Sequence, residues 1–529
     1  MSRNVVRTKT RDVVLESPVL HSPVDDSSAK TRRRTFWIVV LLVAAIIAIS
    51  LIRRFTTDRP VDYQAEVDHF KYGSIGSEPG GSIRMAIGGL LPPYEIFKVL
   101  PQVCPDKLPG GYASLGLIFE KGHNLPIGVS RRRRLGLDLV GLNCAVCHTG
   151  TVRESRNDAA MIVAGMPAHQ LNLQNLFRFV LDCSLDERFT PDNVLARMQE
   201  GGADLGWLDR AAFKYAVIGR TREQSLQLSQ RLALLMGDRI PEWGPGRVDT
   251  FNPYKGLQFN WQLSRLPIEE LTGASDFPSL WNQRPRAGMQ LHWDGNNDSV
   301  DERNLSASLG TGVTPVTIDH ARLDRLRQWI WTQPPPAYPF SIDRTKAAQG
   351  RELYRVHCQE CHADERFKEA TDFKTAQAIG SRIGTVVPIQ AIGTDPYRLN
   401  SYTYEFASNQ YTLYPDSPYR FRHFRKTQGY ANHPLDGIWA RAPYLHNGSV
   451  PTLRQLLDAP DTRPKRFYRG YDVFDKERVG FVSDVPEENG RPFFAFDTAR
   501  PGNGNQGHVY GTNLSTAQKD AIVEYMKMF

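Results

Sequence analysis

Two short strings carry the chemistry of this chain: Cys144-Ala145-Val146-Cys147-His148 and Cys358-Gln359-Glu360-Cys361-His362. In Cys-x-x-Cys-His each thiol adds to one vinyl group of a haem, and the two intervening residues match the separation of those vinyls. The residue that follows sets its imidazole under the iron as proximal ligand. A zinc site made from two Cys-x-x-Cys pairs would space them by about 15–20 residues, whereas these pairs lie more than two hundred apart. A thioredoxin-like pair would need a βαβ setting, and none is visible around either motif. The pattern predicts two covalently bound haem c groups, one on Cys144, Cys147 and His148 and one on Cys358, Cys361 and His362.

An iron that only carries electrons is held by two side chains, whereas one that meets peroxide or dioxygen keeps a face open. The sixth ligands must come from the remaining side chains, and the chain has thirteen histidines in all. His508 lies in GNGNQGHVYGTNLS, residues 502–515, a glycine-rich loop just before the terminal helix. Glycines let such a loop approach a flat ring closely, so His508 is the expected distal ligand of the second haem. His446, Met526 and Met528 compete for that role, with the two methionines on the terminal helix better suited to packing. For the first haem, His169 and His292 are the candidates.

The elements that must position these groups are mainly helical. LNLQNLFRFVLDC (171–183) and LDERFTPDNVLARMQE (185–200) have helical spacing, with Thr190 and Pro191 as N-cap and first-turn proline. Residues 225–236 and 322–331 repeat the pattern. Pro334, Pro335 and Pro336 then stop the helix and mark a boundary. TKAAQGRELYRVHCQECH (345–362) reads as the first helix of a class I cytochrome c domain running into its haem motif. Its partner is the terminal helix LSTAQKDAIVEYMKMF (514–529), with Ser515 as N-cap, and Gly350, Tyr354 and Tyr525 suit the crossing of the two. Residues 72–109 are rich in glycine and proline and predict irregular chain with short helices. The run Arg131–Arg134 is either a set of propionate partners or a solvated charge run. Cys104 and Cys183, the two cysteines outside the motifs, form either a disulfide or a pair of buried thiols.

Residues 36–52, FWIVVLLVAAIIAISLI, hold no charge and reach the lower length limit for a membrane span. Basic residues concentrate before the run (Arg3, Arg7, Lys9, Arg11, Lys30, Arg32, Arg33, Arg34), so the positive-inside rule keeps the tail in the cytoplasm and sends residues 53–529 across a bacterial inner membrane into the periplasm. A cleaved signal peptide is the alternative, with Ala48, Ile49 and Ser50 as the loose cleavage motif; the long tail and the pair Arg53 and Arg54 favour an anchor. The expected layout is a tail at 1–35, an anchor at 36–52, an N-terminal haem domain with a large insertion at 53–336, and a C-terminal cytochrome c-like haem domain at 337–529. A formal charge of +8 is modest for 529 residues and no basic-aromatic recognition module is present, which excludes a nucleic-acid partner.

Two further segments carry a resemblance. LHWDGNNDSVDERN, residues 291–304, resembles the Trp-Asp-Gly motif of bacterial dihaem cytochrome c peroxidases, and RAPYLHNGSVPTL, residues 441–453, resembles their Ala-Pro-Tyr-x-His-x-Gly segment. The wide spacing of the haem motifs and the histidine before the last helix look more like the rubber oxygenase branch of that superfamily. The resemblance covers roughly residues 130–529. It implies that Trp293, which on its own reads as a core tryptophan, relays electrons between the haems. It also brings in an interdomain calcium ion, which no loop here marks. Two departures matter. The glutamate that the peroxidases place over the first haem has no counterpart in SASLGTGVTP, residues 306–315, and Pro460 stands near the place of their methionine ligand. The first weakens general acid–base help to peroxide cleavage, and the second favours a histidine on the second haem.

Together these readings predict an oxidoreductase of peroxidase or oxygenase type. The first haem would react with peroxide or dioxygen, and the second would exchange electrons with the quinone pool or a small redox protein. The alternative is a non-catalytic electron carrier between a membrane donor and a periplasmic acceptor, with a haem-based sensor a weaker third. The insertion between Gly150 and Pro334 is more chain than a carrier needs, which favours the enzyme.

Overall fold

The computed structural model describes residues 26–78 and 90–529. The basic residues Arg3, Arg7, Lys9 and Arg11, and the part of the glycine- and proline-rich stretch at 79–89, lie outside the described residues. The chain divides into two units, Met1–Thr57 and Asp58–Phe529. In the first, one helix runs over Asp26–Thr56, longer at both ends than the apolar run itself. Its segment Lys30–Thr56, 27 residues, is long and apolar enough to cross a membrane: at 1.5 Å per residue it exceeds the roughly 30 Å hydrocarbon core.

Helix dominates the second unit, joined by small antiparallel pairings that the sequence does not announce. The largest is a three-stranded sheet of Asp58–Pro60, Val129–Arg134 and Leu137–Leu142. The arginine run lies within it as a strand, not beside a haem motif as a propionate clamp. Arg131 pairs with Asp138 (2.6 Å), Arg132 with Asp58 (2.5 Å) and Asp319 (2.9 Å), Arg133 with Asp138 (3.3 Å) and Arg134 with Asp58 (3.7 Å). Alternate arginines of an extended strand point to opposite faces, and here each finds a carboxylate on a neighbouring strand or on the cap of the helix His320–Thr332.

The helices fall near their predicted places: Leu173–Leu185, Pro191–Glu200 with the Thr190 hydroxyl capping Asn193 N–H, and His320–Thr332 ending before the prolines. The helix predicted over 225–236 begins earlier and runs Ile218–Met236. Cys104, at the C-terminus of the helix Tyr94–Val103, is disulfide-bonded to Cys183 on Leu173–Leu185, with Cα atoms 5.9 Å apart inside a fully buried apolar cluster.

The second motif is held by the crossing of Arg344–His357 with the terminal helix Thr516–Met526. Ser515 and Gln518 close a reciprocal capping box at the start of the latter. Tyr354 packs edge-on to Tyr525 (5.4 Å) and Phe529 (5.0 Å), and Met526 is buried in the same cluster as packing. A Cβ on Gly350 would stand 1.9 Å from the Ala521 carbonyl oxygen, so the two backbones touch there. Gly350→Ala must therefore force the helices apart, and overpacking of this kind costs about 2 kcal/mol or more. Denaturant unfolding of the variant, followed by far-ultraviolet circular dichroism, should show that loss; a midpoint equal to the parent's would refute the crossing.

Candidate functional site

Each motif reaches its histidine from a different local structure. The first follows the hairpin strand Leu137–Leu142. Asn143 turns the chain there: its side-chain oxygen accepts Ala145 N–H (2.9 Å), and its amide donates to the carbonyls of Lys71 and Gly73. The strand Thr149–Val152 then leads the chain away. The second motif forms the short helical turn Gln359–His362 at the end of Arg344–His357. It closes on Ala363, whose φ of 56° is a left-handed conformation uncommon for a non-glycine residue.

The two proximal imidazoles are nevertheless held alike. His148 Nδ1 meets the carbonyl of Pro278 at 2.7 Å, and His362 Nδ1 meets that of His433 at 2.8 Å. A carbonyl can only accept, so each Nδ1 carries the proton and each Nε2 keeps its lone pair. A metal-ligating histidine is oriented in this way. Burial lowers both imidazoles, His148 to about 4, and keeps them neutral as ligation requires. The four motif cysteines are unbridged. These donor sets fit haem c.

His508 comes close to His362: the ring centres lie 6.2 Å apart with planes inclined by 40°. Two metal–nitrogen bonds of about 2 Å, plus about 1 Å from each nitrogen to its ring centre, give roughly 6 Å for two imidazoles on one iron. The loop reaches this place because a Cβ on Gly507 would fall 2.3 Å from the Gly393 carbonyl carbon, and His508 N–H donates to the Ile392 carbonyl at 2.9 Å. His508 itself has φ 49°, a strained conformation of the kind that collects at functional sites. Burial pushes its imidazole down to about 3, and its Nδ1 has no hydrogen-bond partner. His446 is elsewhere, stacked on Tyr430 (4.2 Å) and bonded to its hydroxyl (3.1 Å).

Around His148 the arrangement differs. The ring it meets is Phe277, at 6.4 Å. His169 donates through Nε2 to the Thr151 carbonyl (2.9 Å) and stacks on Phe481 (3.6 Å). His292 bonds Asn296 through Nδ1 and stacks on Phe424 (6.1 Å). Neither is set against His148 as His508 is against His362.

Trp293 stands on the route between the motifs. Its indole N–H donates to the Asp276 carbonyl at 3.0 Å, two residues before Pro278, and its ring meets His433 edge-on at 5.8 Å. His433 in turn donates through Nε2 to the His292 carbonyl (2.9 Å). Sequence reasoning missed Pro278, His433 and Phe277; a backbone carbonyl leaves no mark on residue type. Among the described residues, no group of three or more His, Cys, Asp or Glu side chains is placed to hold a metal ion.

A family model described as RoxA-like, cytochrome c-like matches residues 429–468, the segment that contains His433, Arg441 and His446. The C-terminal region thus contains a segment similar to a RoxA-like cytochrome c domain, and a cytochrome c-like domain implies covalently bound haem c. Across the chain, "Uncharacterized protein y4iJ" of Sinorhizobium fredii is 27% identical over 94% of this chain and 99% of the relative. "Uncharacterized protein y4iM" of the same organism is 31% identical over 56% of this chain and 74% of the relative. The chain belongs to the family of these Sinorhizobium proteins.

Replacing His508 with Ala should turn one low-spin haem signal high-spin in the electron paramagnetic resonance spectrum of the oxidised protein. An unchanged spectrum would remove His508 as a ligand.

Proposed function

We propose that this chain is a membrane-anchored dihaem c-type oxidoreductase working on the periplasmic side of a bacterial inner membrane. Cys144, Cys147 and His148 would hold the haem that supplies the reactive centre. Cys358, Cys361, His362 and His508 would hold the haem that supplies electron storage and delivery. The observation that carries this reading is the asymmetry of the two imidazoles: His362 has a second imidazole at 6.2 Å, whereas among the described residues no second imidazole packs against His148. Haem iron supplies one-electron exchange where both faces are taken and reacts with dioxygen or peroxide where one is free.

The chain's own residues divide the remaining work. The Pro278 and His433 carbonyls fix the tautomer and plane of the proximal rings. Residues 306–315 offer no carboxylate to assist heterolysis of peroxide, which favours dioxygen as co-substrate. Trp293, bonded to the Asp276 carbonyl at one end and packed on His433 at the other, is the relay. The Cys104–Cys183 bond supports an oxidising compartment for residues 58–529, and the basic tail supports a cytoplasmic N-terminus. Electrons would come from the quinone pool or a small redox protein.

The oxidised protein should show one high-spin and one low-spin haem by electron paramagnetic resonance; two low-spin signals would overturn the enzyme in favour of a carrier. Trp293→Phe should slow electron exchange between the haems by roughly tenfold, equivalent to about 1.4 kcal/mol of barrier, with both haems still bound. Stopped-flow reduction followed at the two Soret bands measures it, and an unaltered rate would exclude the relay.

A further inference from the structure

The helix Val300–Gly310 packs into the two apolar clusters that hold residues of, or beside, each motif. Val300 packs in the cluster that contains Ala363, next to His362. Leu305 and Leu309 pack in the cluster that contains Ala145, with Cys144 against its edge. Arg303 stands between these contacts. Its Nη2 donates to Asn304 Oδ1 at 3.1 Å, and Asn304 is already tied to Gln283 by a 2.9 Å bond from its own amide. Among the described residues no carboxylate stands within ion-pair distance of Arg303.

The neighbouring guanidiniums are better supplied. Arg286 and Arg441 share the Asp436 carboxylate at 2.5 and 2.7 Å, and Arg286 also donates to the carbonyls of Trp281 and Asn282. Arg303 lies within electrostatic reach of Arg286, Cys144, His148 and His292, so the space beside the first motif holds a surplus of positive charge. Burial, followed by repulsion from Arg286, pushes its guanidinium down to about 10. A half-buried charge without a carboxylate partner is completed when an anion reaches it, and a guanidinium fork fits a carboxylate with two parallel hydrogen bonds.

We propose that Arg303 binds a carboxylate at the first haem site. That carboxylate is either a propionate of the haem attached at Cys144 and Cys147 or the acid group of a substrate entering beside it. This rests on the reading that a haem is bound there. The role considered for the arginines at 131–134, whose carboxylate partners lie in their own sheet and on a neighbouring helix cap, passes to Arg303 on the helix Val300–Gly310.

The test uses the full-length haem-loaded protein in detergent, with Arg303→Gln and Arg303→Lys beside the parent. A pyridine haemochrome count comes first: one haem per chain would fail the dihaem reading, separately from the fate of this proposal. With two haems present, a propionate partner predicts that the propionate bending bands in resonance Raman move in Arg303→Gln and move less in Arg303→Lys. The midpoint potential of the first haem falls in Arg303→Gln, and the bands of the second haem stay fixed. A substrate carboxylate predicts unchanged propionate bands, with a saturable Soret shift on adding octanoate to the parent that weakens by roughly tenfold in Arg303→Gln. Should Arg303→Gln fail to load haem, Arg303→Lys decides alone, since it keeps the charge but not the fork. The proposal is overturned if the variant that loads matches the parent in Raman bands, potential and octanoate response.

Discussion

A neutral imidazole aimed at one point in space is the condition on which the rest of this molecule depends. Imidazole turns easily about its bonds to the backbone and titrates near neutrality, so a proximal histidine needs both its plane and its proton fixed. Both motifs meet the need with a backbone carbonyl at Nδ1, from Pro278 and from His433. Those carbonyls are in turn fixed by small ribbons. Ala274–Asp276 pairs with Arg247–Asp249 just before Pro278, and Gly429–Ala431 pairs with Val386–Pro388 just before His433. The β-structure is slight in extent, yet it sets where two carbonyl oxygens stand.

His433 is the busiest of these positions. Its carbonyl orients His362, its ring lies against Trp293, and its Nε2–H holds the carbonyl of His292. Burial lowers its imidazole to about 3, so it stays neutral and acts as a fixed donor and a packing surface. A rearrangement at one motif therefore has a bonded and packed path to the other. Ion pairs between early and late chain, such as Arg153 with Asp472 (2.6 Å) and Arg469 with Asp276 (2.7 Å), tie the regions on either side of the proline run into one unit.

What could be read from the sequence was local chemistry. The Cys-x-x-Cys-His strings declare their covalent role in five residues, the terminal helices declare themselves by caps and by the proline stop, and glycines around His508 announce a close approach. What stayed hidden was non-local. Pro278 and His433 act through backbone atoms that every residue has. Phe277 is an ordinary apolar residue until the fold sets it beside His148. The strands are only two to six residues long, too short for alternation to show, and four consecutive arginines look like surface until Asp58, Asp138 and Asp319 come together around them. Arg303 sits in Asp301-Glu302-Arg303, where local acids suggest an exposed ion pair; its isolation is a product of folding.

The Cys104–Cys183 bond has a consequence for how the molecule is made. The two cysteines are 79 residues apart, and the loop they close encircles Cys144 and Cys147. Six cysteines admit fifteen complete pairings, and any bond that takes up a motif thiol would block haem attachment at that motif. Cys104 and Cys183 end fully buried, whereas the motif cysteines remain partly open. Early collapse of the helices Tyr94–Val103 and Leu173–Leu185 would therefore sequester the correct pair while leaving the motif thiols within reach of an attachment machinery. On the proposed dihaem reading, biogenesis would set oxidation against cofactor ligation, and the order in which these thiols are shielded would decide how much of the chain matures.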